Sequence, residues 1–152
     1  MKGLEVTKII GLAEKNIMAA CKIDGRDRTG GMLCVADKSG VILICQIGEI
    51  ADLEKAAQWR ITCQEKTKRL LSVEFDYSSW QTRDFDNKKY GGAVRTKDGF
   101  IISFSGLSEH LDEAFSALIA HRMALGMGMW PWADIKRISN NPHMAEAPGY
   151  IV

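Results

Sequence analysis

The residue types with the most scope for chemistry gather between positions 91 and 113. Gly91-Gly92 precedes one apolar run, Ser105-Gly106 closes the next, and His110, Asp112 and Glu113 follow at once. A strand end that turns directly into a helix start puts unpaired backbone N–H groups and their partial positive charge at one mouth. Such a mouth suits an anion. His110 falls in the first helical turn beside it, where an imidazole can meet a propionate or ligate iron. A solvent-facing histidine at a helix start is the other reading. Gly91, Gly92, Ser105, Gly106 and His110 are therefore the candidate ligand-binding set. The double glycine is either a backbone crossing too tight for side chains or a point of close approach by a ligand. It is not a phosphate loop, because no lysine-headed helix follows and no GxGxxG occurs.

Other groups offer less. His121 lies eleven residues after His110, roughly 16 Å along a helix, too far to share a metal. His143 stands in a polar tail. Asp112 and Glu113 are neighbours on a helix, so they point about 100° apart and form no acid/base pair. They read as acids that complement a helix N-terminus. Asp84 and Asp86 alternate in a loop, where turn chemistry explains them and no metal site is expected. No serine or cysteine stands beside a histidine in a nucleophile signature, so no catalytic residue is assigned. Met123, Met127, Met129, Trp130 and Trp132 suit a subunit contact, ordinary core packing or the lining of a planar cofactor.

The elements that must hold these residues are legible from periodicity. Val6, Ile9, Ile10, Ala13, Ile17, Ala20 and Cys21 share one helical stripe, which predicts a helix from Leu4 to about Ile23. Met32–Ala36 and Val41–Ile47 flank the turn Asp37-Lys38-Ser39-Gly40 and predict an antiparallel hairpin. Both runs are apolar on successive residues, so both faces should be covered. A second helix spans Asp52 to about Leu71, capped by Asp52. Its expected face is Leu53, Ala56, Ala57, Ile61, Cys63 and Thr67, and Lys66, Lys68 and Arg69 complement its C-terminal dipole. The stretch from Glu74 to Tyr90 is polar and irregular, with room for one further strand. Ala93–Thr96 and Phe100–Ser105 form a second hairpin around Lys97-Asp98-Gly99. Ser108 caps a third helix that ends in Gly126 and Gly128, and the tail beyond shows no clear period.

Totals agree with one globular domain of 152 residues, 46% hydrophobic and 26% charged. A net charge of +1 argues against a nucleic-acid or anionic-membrane partner. Cys21, Cys34, Cys45 and Cys63 form no CxxC pair and read as free thiols. The start of the chain lacks a signal-type apolar core and no run is long enough to span a membrane, so the expected compartment is the cytoplasm.

Gly91-Gly92-Ala93-Val94, Lys97-Asp98-Gly99, Ile101–Gly106 and Asp112-Glu113, with Val35–Gly40 and the alanine-bearing second helix upstream, resemble the haem-degrading-domain family of GlcG-like and HbpS-like proteins. The likeness covers about residues 4–126. Val94 and Arg95 stand where the family has a proline after its double glycine, and Arg60 is the nearest match to the lysine of its second helix. The resemblance implies an α/β (α+β) protein: a profilin-like three-layer α/β/α fold with a mainly antiparallel sheet of about five strands, assembling as homo-oligomers. Some members of that family bind haem; others have no established activity. The expectation is a GlcG-like domain over 1–126, with a tail of 127–152 packed on it or on a neighbouring subunit. Its function would be to bind a small ligand without turnover, haem or a related tetrapyrrole being the candidate. An enzyme or enzyme accessory acting on a small metabolite, and a structural assembly protein, are the alternatives.

Overall fold

The computed structural model describes residues 5–152. Helix α1 runs Val6–Asp24 and buries Ile9, Ala13, Ile17, Ala20 and Cys21, the stripe its period predicts. Leu4, expected to open it, lies outside the described residues. Gly25 ends the helix in the left-handed conformation, at φ 75°. Strands β1 (Gly30–Asp37) and β2 (Gly40–Gly48) pair antiparallel around Lys38-Ser39, and the Asp37 carboxylate accepts from the Ser39 amide at 2.8 Å.

Helix α2 spans Leu53–Leu71, and the Asp52 side chain caps it by accepting from the amides of Glu54 and Lys55. Its buried positions are Ala56, Cys63, Lys66, Thr67 and Leu70. Leu53 and Ile61, expected inside, are 81% and 68% exposed, because the helix turns the 56–63–67–70 row to the sheet. Glu74–Tyr90 supplies no further ladder strand. It folds as two short 3₁₀ turns, Ser79–Thr82 and Phe85–Asn87.

Strands β3 (Ala93–Arg95) and β4 (Ile101–Ser105) complete an antiparallel sheet in the order β2-β1-β4-β3, four strands among the described residues rather than about five. Helix α3 covers Glu109–Arg122 and stops before the expected glycines, the chain turning through Ala124 at φ 56°. The tail is not irregular: Met129–Ser139 forms helix α4. Pro131 sits in its first turn, where a missing N–H costs nothing. Trp132, Ile135 and Ser139 face inward at helical spacing.

The main core lies between the sheet and α1 with α3. Leu33, Val35, Ile102 and Phe104 meet Ile9, Ile17, Phe115 and Leu118 there, and Trp132, Ile135 and Met144 of the tail join them. A smaller cluster of Met32, Cys34, Ala56 and Cys63 seats α2 on the opposite face. All four cysteines are free thiols. Central strand β1 is buried almost throughout, as a continuous apolar run should be. The matching expectation fails for β2: Val41 and Ile42 are 40% and 41% exposed, because β2 is an edge strand. No helix among the described residues is long and apolar enough to cross a membrane.

Candidate functional site

The end of β4, the start of α3 and one flank of α2 enclose a cleft of about 320 Å³. Its floor is an ion pair. Lys66 projects from α2 and is 1% exposed; its Nζ donates to the Phe104 carbonyl at 2.6 Å and to the Asp112 carboxylate at 3.1 Å. The second oxygen of Asp112 accepts from the Leu107 amide at 2.9 Å. Asp112 is thus not a solvent-facing helix-start acid. It is 4% exposed, and burial pushes its carboxyl up to about 7 against the pull of Lys66.

Gly92 makes this pair possible. It sits at φ 127°, and a β-carbon there would lie 2.5 Å from Lys66 Nζ and 2.9 Å from Asp112 Cβ. Gly106, at φ 139°, lies so close to β1 that its β-carbon would stand 2.9 Å from the Gly31 Cα. Gly91 packs under the Trp80 ring. Of the two readings open for the double glycine, close internal packing accounts for both residues.

The walls come from separate segments. Trp59 and Thr62 of α2 face Ser105 and Gly106 of the β4 end across the cleft, and Phe85 and Tyr90 close it from the 3₁₀ segment. That segment is stitched down at both ends. Arg69 donates to the carbonyls of Ser79 and Tyr90. Glu109 accepts from Arg83 through two bonds of 2.6 and 2.7 Å and from the Gly91 amide at 3.0 Å. Arg26 stands at the mouth, fixed by two bonds to Asp24 at 2.8 and 3.0 Å, and the same carboxylate accepts from the Ser108 amide.

Two features leave the cleft short of acceptors and donors. Helix α3 starts at Ser108 without a side-chain cap, so its first-turn amides keep their partial positive charge. Ser105 is 2% exposed, and its Oγ has no hydrogen-bond partner among the described residues.

Of the candidate set, Ser105 and Gly106 line the cleft and Gly92 lies beneath it, against Lys66 and Asp112. Gly91 lies on the Trp80 side. His110 points elsewhere: its Nε2 meets the Ser139 carbonyl at 2.8 Å and its ring stacks on Trp80 at 4.4 Å. His121 meets the Met127 carbonyl through Nδ1 and His143 meets the Val152 carbonyl. Among the described residues no group of three or more histidine, cysteine or acidic side chains is placed to hold a metal.

Glu113 shares the burial of Asp112 but not its surroundings. Fully enclosed, it accepts from Ser78 Oγ at 2.5 Å, from Asn141 Nδ2 at 2.9 Å and from Ser139 Oγ. It ties the 3₁₀ segment and the tail to α3. Burial raises its carboxyl despite these donors.

Sequence reasoning missed Lys66, Trp59, Thr62, Tyr90 and Arg26 as site residues. Lys66 alone carried a usable signal. It lies three residues after Cys63 and four before Leu70, on the inward row of α2, whereas Arg60 is exposed. No family model, no curated protein and no solved structure matches this chain.

Proposed function

We propose that this protein binds a small organic anion, without turning it over, in the cleft above Lys66 and Asp112. The carrying observation is the buried, unpartnered Ser105 Oγ in the wall of a cleft that also faces an uncapped helix start. A buried hydroxyl without a partner is costly, and a ligand oxygen would satisfy it. The α3 amides and the Arg26 guanidinium favour a carboxylate on that ligand. Trp59 and Tyr90 offer flat apolar surface to its body. The profilin-like arrangement and the assembly of copies implied by the family likeness belong to this reading too.

Haem is the ligand that likeness suggests. His110 does not fit the role of its axial ligand, since its Nε2 meets the Ser139 carbonyl and its ring stacks on Trp80 outside the cleft lining. No histidine or cysteine lines the cleft among the described residues. A tetrapyrrole would have to rely on its propionates at the α3 start.

Amide NMR during titration with acetate, succinate, benzoate and haemin tests the reading. The expected result is shifts confined to residues near Ser105–Leu111 for at least one carboxylate. Ser105→Ala and Arg26→Ala should each weaken that binding about 5–10-fold. No shift at these amides with any of the four overturns it.

A further inference from the structure

The charges around the cleft cancel before any ligand arrives. Arg26 and Lys66 line it together with Glu109 and Asp112. Each of these four is ion-paired: Arg26 with Asp24, Lys66 with Asp112, and Glu109 with Arg83. Three cations thus stand against three carboxylates. A carboxylate seated among them adds one negative charge that none of these cations is free to balance, and the α3 start offers only a partial positive charge. An enclosed charge without a counter-charge is expensive, and the common remedy is a proton.

Asp112 is the group placed to take it. Its oxygens meet Lys66 Nζ at 3.1 Å and the Leu107 amide at 2.9 Å, and both partners can only donate. A proton on Asp112 therefore finds no acceptor in these partners, and a ligand carboxylate above the cleft floor supplies one. We infer that the cleft takes up a carboxylate together with one proton, drawn from solvent and held between Asp112 and a ligand oxygen. This coupling rests on the ligand reading above and adds that binding weakens as pH rises. The groups facing Asp112 are Lys66 and the Cys63 thiol from α2, Asp24 and Arg26 from the end of α1, and Glu109 from the preceding turn of α3. Gly92, the Phe104 carbonyl and Ser105 complete its surroundings and do not titrate near neutrality. Burial works against the charge of Asp24 and Glu109, but their arginine bonds outweigh it and hold both carboxyls below the ordinary range. Burial lifts Asp112 to about 7 against the pull of Lys66, so it alone of the three carboxyls is poised to change charge near neutrality.

Benzoate and acetate are the probes, since both are ionised throughout the range and any proton taken up belongs to the protein. Their dissociation constants, read from amide shifts, should be flat below about pH 7 and rise about tenfold per unit above it. Asp112→Asn, a neutral side chain of the same shape, should bind with an affinity that varies less than about twofold across that range. Should this variant lose its fold, the carbon-13 shift of the Asp112 carboxyl in the unaltered protein gives the answer: benzoate added near pH 8 should move it from the ionised to the neutral position. Binding of equal strength on both sides of neutrality overturns the coupling and leaves the ligand reading standing. So does a pH slope that persists in Asp112→Asn, or a carboxyl shift that benzoate leaves in place. No amide shift with either probe at any of these pH values overturns the ligand reading for them, and the coupling with it.

Discussion

Asp112 and Glu113 are adjacent, both buried and chemically alike, yet they serve opposite sides of α3. Glu113 is saturated. Ser78, Ser139 and Asn141 reach it from three parts of the chain, and two of these donors are hydroxyls that can reverse direction. Asp112 faces an ammonium and a backbone amide, which can only donate. Beside that pair lie an unpartnered serine and an uncapped helix start. One side of the helix spends its polar groups on holding the fold; the other leaves some unspent, which is where a ligand gains most. Full hydrogen bonding makes Glu113 a structural clasp, and the proposed ligand would bind on the side of Asp112.

The contrast can be broken experimentally, beginning where the effect is greatest. Glu113→Ala orphans several buried donors and should cost about 3–5 kcal/mol in denaturant unfolding, whereas Glu113→Gln should stay within about 1 kcal/mol. Equal losses for the two would mean that charge, not hydrogen bonding, holds the clasp. Lys66→Met should cost about 2–4 kcal/mol near pH 8 and less in acid. The sign follows from burial, which raises Asp112 to about 7, above its unfolded value. Its contribution to stability is complete at acid pH and is lost as pH climbs through the folded value. Removing the ammonium lifts that value further, so the variant's deficit grows on the alkaline side. A deficit independent of pH would show that Lys66 acts by packing alone. Gly92→Ala forces a side chain against Lys66 Nζ at positive φ and should cost about 2–3 kcal/mol, read by thermal unfolding. The smallest effect separates the two sides best. Ser105→Ala removes a buried hydroxyl with no partner, so stability should change by less than about 1 kcal/mol, and in the stabilising direction, while carboxylate binding weakens. A clear loss of stability would place Ser105 with the clasp instead.

How far the chain could be read depended on whether a feature repeats locally. The α1 stripe, the Asp52 cap and the Lys97-Asp98-Gly99 hairpin all rest on neighbours in sequence, and all three formed. Helix α4 escaped because Met129-Trp130-Pro131 hides its period and its inward residues are only Trp132, Ile135 and Ser139. Of the candidate set, Ser105 and Gly106 line the cleft, whereas the His110 ring meets the Ser139 carbonyl of the tail and stacks on Trp80.

The amino-acid sequence by itself determined where helices and hairpins form, since side-chain period and turn chemistry act over a few residues. Only the tertiary structure decided which charges are buried. Lys66 becomes the floor of a cleft because Gly92, Phe104 and Asp112 converge on it from three other segments. Burial depends on what the rest of the chain brings alongside, and no local pattern encodes that.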